Sequence, residues 1–292
     1  MTTEATPFPV RWLAWFFLPS LVIAHRTVLE MAKVGWDDDR YNYTLASLAV
    51  ALVLLYQERD FLFPPRLQQD KSGLWLAVSG LAANLVLTYA VPGVDLFWRG
   101  VALSLVWIGG LWYCHGTLSL RKGAFQVLLL LFAVPPVPQA WMHRFEVFLQ
   151  HSSANLSELI FRLIGQTMFR DGLIFQLPGL NIEVATECSG IRSTTALILV
   201  VAVCAHLLLQ TGRSKLILLL LAIPAGILKN AVRIVILGWL GSNLSPSYLD
   251  SPLHRQGGPL FTLTAVAVLG PALWWLMRRE AAASSPATRV QP

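Results

Sequence analysis

Apolar runs long enough to cross a bilayer recur along the chain, separated by short polar connections. They cover roughly 12–29, 42–57, 73–91, 98–118, 124–142, 192–211, 214–240 and 259–278. A hydrocarbon core about 30 Å thick takes about 20 apolar residues as a helix. The pattern therefore predicts an all-α fold, a polytopic transmembrane helical bundle of about eight spans. The second run is short, and Pro135, Pro136 and Pro138 break the fifth, which predicts an early stop or a kink there. No small-residue cleavage site follows the first run, and Ala24-His25-Arg26 reads badly as one, so that run reads as a span rather than a signal peptide.

Between the fifth and sixth runs, Trp141 to Leu149 alternates polar and apolar positions at near-helical spacing. That predicts a short outer helix lying on the membrane surface. Phe175 to Ala185, punctuated by Pro178 and Gly179, predicts a brief hairpin. Residues 1–280 read as one transmembrane domain. Residues 281–292 read as a disordered cytoplasmic tail.

Composition agrees with the pattern. Of 292 residues, 55% are hydrophobic and 13% charged, and the mean hydropathy is +0.58. A soluble domain carries about 25% charged residues, so an ordinary cytosolic enzyme is excluded. The net charge of +6 is scattered between the apolar runs, with no basic stripe interleaved with aromatics, so nucleic acid is not expected as a partner. Basic residues are densest in the short connections holding Arg59, Arg66, Lys71, Arg121, Lys122, Arg213 and Lys215, and at Arg278 and Arg279. This places both termini in the cytoplasm and the long connections, about 139–192 and 241–258, outside. Three cysteines without metal-type spacing, and the lack of His/Asp/Glu ligand clusters, argue against a metal. No cofactor is expected either.

Polar residues inside or beside a span are costly, and three blocks stand out, all toward the outer side. Glu187-Cys188-Ser189-Gly190 opens the sixth span. A helix N-terminus and nearby arginine would favour a thiolate at Cys188, and Gly190 leaves room for close backbone approach. The plain alternative is an inert boundary cysteine beside a helix capped by Ser189 or Ser193. Lys229, Asn230 and Arg233 share one face of the seventh span, either as a functional cation site or as a hydrogen-bond clamp between helices. His254 precedes the eighth span, where an exposed loop histidine is the commoner case. A thiol, a guanidinium and an imidazole from successive spans would suit acyl transfer, as nucleophile, oxyanion donor and general acid/base.

These blocks, in this order, resemble the exosortase/archaeosortase family. Trp36-Asp37-Asp38-Asp39-Arg40-Tyr41 and the Pro135-Pro136-Val137-Pro138 break are similar too, so the likeness runs from about Trp12 to Met277. After Tyr41 many members continue Ser-His-Gly, whereas this chain has Asn42-Tyr43-Thr44. The resemblance implies a membrane cysteine transpeptidase with Cys188 as nucleophile, Arg233 as its arginine and His254 as third member. Ser189, Gly190 and Asn230 would support them. It implies exported substrate proteins carrying a C-terminal sorting signal, often of Pro-Glu-Pro type, ahead of a transmembrane helix and a basic cluster. Polysaccharide or surface-protein processing, an envelope acyl acceptor, membrane lipid around the bundle and a multi-pass inner-membrane location belong to the same expectation. The alternatives are a transporter or polysaccharide-assembly component holding an anion at Lys229 and Arg233, and an intramembrane serine protease using Ser189.

Overall fold

The computed structural model describes residues 12–62, 70–184, 190–250 and 257–284. It is an all-α polytopic membrane bundle with a small three-stranded sheet. The chain divides into two compact units, 1–139 and 140–292.

In the first unit a π turn, Leu13–Phe17, leads into α1 (Leu18–Ile23), and α2 (His25–Asp37) follows directly. The first apolar run is thus broken at Ala24. Next come α3 (Tyr43–Gln57), α4 (Lys71–Tyr89), α5 (Leu96–Lys122) and α6 (Ala124–Leu128). The prolines stop the fifth run as expected: a π turn, Leu129–Ala133, ends it just ahead of Pro135. Small residues let α4 and α5 touch backbone to backbone. A methyl group added at Gly73 would fall 2.7 Å from the Gly109 carbonyl oxygen, and one at Gly80 would fall 2.8 Å from that of Ala102. This close packing replaces the hydrophobic drive that lipid removes.

In the second unit α7 (Gln139–Leu163) is followed by β1 (Phe169–Asp171), β2 (Ile174–Leu177) and β3 (Leu180–Glu183), antiparallel in that order. The hairpin turns at Pro178-Gly179, with Leu177 opposite Leu180. The helix predicted over Trp141 to Leu149 is longer than its alternation suggests: α7 runs for 25 residues. The antiparallel pair α8 (Ile191–Leu208) and α9 (Gly212–Asn243) comes next, then a 3-10 turn (Pro246–Asp250) and α10 (Gly258–Ser284). Leu197, Val201, Leu218, Ala222, Ala265 and Leu269 form the core between α8, α9 and α10. Glu280 ties the α8–α9 connection to α10 by accepting from the Gln210 and Thr211 amides at 2.7 and 2.9 Å.

Among the described residues five helices, α4, α5, α8, α9 and α10, are long and apolar enough to cross a membrane alone. Aromatic side chains mark their ends. Trp75, Trp98, Trp274 and Trp275 are exposed, and the Arg278 guanidinium lies 3.9 Å from the Trp274 ring centroid. Such tryptophans sit at headgroup level. α10 runs on to Ser284, and the rest of the expected tail lies outside the described residues.

Candidate functional site

Every site residue expected from the sequence belongs to the second unit. α9 is its frame. At 32 residues it is about 48 Å long, well beyond a hydrocarbon core of about 30 Å. Its last turns are covered by protein: a methyl group at Gly238 would meet Phe161, Ile182 and Leu177 side chains at 2.8–3.2 Å. Arg233 lies where this covered stretch begins, half-buried.

α8 starts on the flank of α9. Gly190 takes its N-cap position with φ 76°, a left-handed conformation, and a Cβ there would come within 3.0 Å of the Asn230 side chain. One turn further, the Thr194 side chain fills the space over Gly226. The faces therefore match turn for turn: Gly190, Ser193 and Thr194 against Asn230, Lys229 and Gly226. Ser193 Oγ donates to the Gly190 carbonyl at 3.0 Å and accepts from the Lys229 ammonium. The N-cap is thus Gly190 and not Ser193. Serine caps well in extended backbone, but this position requires a positive φ hard against Asn230, which only glycine meets without strain. Gly190→Ala is expected to cost about 1–3 kcal/mol of unit stability, read from detergent unfolding of the purified protein. An unchanged unfolding midpoint would contradict this packing.

Lys229 and Asn230 are 4% and 2% exposed, so this face of α9 is dry. Cys188, Ser189 and His254 lie outside the described residues. The residues flanking the cysteine are placed. Gly190 abuts Asn230, three residues before Arg233. Val184 is 1% exposed and belongs to a buried cluster with Ile234 and Val235, directly after Arg233. Val184 is held from both sides, its amide donating to the Leu173 carbonyl at 2.9 Å and its carbonyl accepting from Gln150 Nε2. The described residues that flank segment 185–189 are thus Val184, in the cluster that includes Ile234 and Val235, and Gly190, against Asn230.

Two other sequence segments meet in the first unit. Asp37, Arg40 and Tyr41 line a cavity of about 420 Å³ together with Pro136 and Val137. The Val137 amide donates to the Tyr43 hydroxyl at 3.0 Å. Arg40 grips Asp38 with Nε–O distances of 3.0 and 3.1 Å and holds its carboxyl below the usual carboxylate range. Among the described residues no group of three or more His, Cys, Asp or Glu could hold a metal ion.

A family model of transmembrane exosortases matches residues 35–271. The chain belongs to the transmembrane exosortase family. No curated protein and no solved structure matches it. The matched range includes both the Asp37–Tyr41 cavity wall and the α8–α9 face, so the family's sequence pattern spans the two units. Exosortases are generally membrane transpeptidases, and the helices here agree with a membrane-embedded protein.

Sequence reading missed Ser193 as the acceptor for Lys229 and Gln150 as the brace on Val184. The first had a signal. Gly190, Ser193 and Thr194 recur at i, i+3, i+4, as do Gly226, Lys229 and Asn230, which is the spacing of two helix faces that meet.

Proposed function

We propose that this exosortase-family chain is a cysteine transpeptidase of the inner membrane. Its substrates are exported proteins that end in a short motif, an apolar helix and a basic cluster. The observation that supports the reading is that Gly190 lies against Asn230 while Val184 shares a buried cluster with Ile234 and Val235, the α9 residues before and after Arg233. Cys188, two peptide links from Gly190, stays within about 7 Å of it by chain length alone. The start of α8 adds the positive end of a helix dipole, which favours a thiolate.

In this reading the Cys188 thiolate attacks the scissile carbonyl carbon. Arg233 donates to the oxyanion that forms, and its forked donors suit a group that changes direction as the carbon becomes tetrahedral. Collapse breaks the C–N bond, leaves a thioester on Cys188 and expels the tail amine, which takes a proton from His254. A second nucleophile then attacks the thioester and loses its proton to His254. An envelope amine gives a new amide; water gives the free acid. Asn230, Gly190 and Ser189 shape the walls.

Basic residues in the short connections orient the bundle with both termini cytoplasmic and this chemistry on the extracytoplasmic face. A client helix of matching orientation would present the bond before its N-terminal end there. Proline in the motif keeps that stretch extended.

The test is a secreted reporter carrying such a tail, co-expressed with the wild-type chain. Release of the reporter on the outer side is expected, and it should fail when the apolar helix is deleted or when the basic cluster is replaced by serines. Release that ignores both parts of the tail would overturn the reading. The transporter alternative predicts no release at all.

A further inference from the structure

Lys229 has no task in the chemistry above. It is 4% exposed, and among the described residues no carboxylate lies within ion-pair distance of it. Burying an ammonium costs several kcal/mol, so an unbranched apolar side chain would fill this place more cheaply. What a lysine adds is N–H donors, one of which goes to Ser193 Oγ. The Ser193 hydroxyl passes the contact on, donating to the Gly190 carbonyl at 3.0 Å. That carbonyl also accepts the first bond of α8, from the Thr194 amide at 2.9 Å. Asn230 blocks the other side of Gly190.

We infer that Lys229 is a positioning residue that, through Ser193, fixes the Gly190 carbonyl and with it the turn of α8 to which the Cys188 segment is joined. The inference rests on Cys188 being the reactive thiol of the proposed function. The hydrogen-bond relay runs from one helix to the backbone of another, and each of its links is a direct contact in the folded chain rather than a consequence of charge alone.

The experiment is iodoacetamide labelling of the full chain in detergent, with each cysteine read separately by mass spectrometry. Cys204 on α8 and the buried Cys114 report whether the protein is folded. Lys229→Met and Ser193→Ala are each expected to slow Cys188 labelling about five- to tenfold, because a loosened helix start stabilises the thiolate less. The double variant should be no slower than the slower single one, as residues acting through one relay are not additive. Lys229→Arg and Ser193→Thr, which keep the donor and the hydroxyl, should stay within about twofold of wild type.

Cys188 labelling that is unchanged or faster in a donor-less variant, with Cys204 unaffected, overturns the inference. So do effects that multiply in the double variant. Should Lys229→Met alone expose Cys204, Ser193→Ala decides. Unfolding of both variants also overturns it, since a positioning role leaves the helix pair intact. Failure of the proposed function shows elsewhere, as tail release that persists in Cys188→Ala, and does not depend on these labelling rates.

Discussion

Cys188→Ala is expected to abolish tail release while the protein accumulates in the membrane at the wild-type level. In the proposed mechanism the thiol forms the thioester, and the alanine methyl is no nucleophile. Serine is the sharper substitution. Its hydroxyl has nearly the same size, but a helix terminus and a guanidinium that favour a thiolate do not deprotonate an alcohol. Cys188→Ser is therefore expected to lose at least about 10³-fold in rate. Immunoblotting of the reporter gives the rate, and mass spectrometry of the wild-type chain in the presence of substrate gives the covalent adduct. Normal release from Cys188→Ala would remove the mechanism altogether.

The second large effect is expected at Arg233. Arg233→Lys keeps the charge and should keep the fold, since the side chain is only half-buried and its neighbours Ala231, Ile234 and Val235 supply the packing. The ammonium is a point donor on a shorter reach, so it follows the moving oxyanion poorly. A loss of about 10²–10³-fold in turnover is expected, with expression and thermal stability near wild type. His254→Ala should behave differently. Losing an acid/base group costs about 10²–10⁴-fold and should change the pH profile of turnover, whereas Arg233→Lys should lower it uniformly. An Arg233→Lys chain with wild-type turnover would assign the guanidinium to helix clamping instead.

The spans were legible because an uninterrupted apolar run of bilayer length is rare outside a membrane. α8, α9 and α10 fall almost on the runs that predict them. α7 was legible only at its start. Its buried face mixes Glu146, Gln150, Ser153 and Ser157 with Met142, Leu149, Ala154 and Phe161, while Trp141, Phe148, Leu159 and Leu163 are exposed beside Arg144 and Arg162. With polar and apolar residues on both faces, an apolar-face pattern loses the helix after Leu149. At the site, residue types and spacing revealed the shared face of Lys229, Asn230 and Arg233. They could not reveal that the cap is Gly190, because serine is intrinsically the better cap and only the Asn230 side chain across the gap decides otherwise. Arg233 also reads differently in three dimensions. Sequence placed it about seven residues before the outer end of its span, whereas α9 continues to Asn243 with its last turns against α7 and the hairpin.

The length of α9 makes it a gauge. Lys215 and Arg233 are 18 positions apart on one continuous helix, about 27 Å at helical rise. A client tail anchored by its basic cluster at the level of Lys215 brings its scissile bond to Arg233 only if its own apolar helix has that length. Shortening the tail helix by four residues drops the bond about 6 Å into the hydrocarbon layer, and lengthening it lifts the bond past the guanidinium unless the helix tilts. On the proposed function, selection among exported proteins would then depend on hydrophobic thickness as well as on motif. A thicker or thinner host bilayer would shift which tails are accepted without any change in the enzyme.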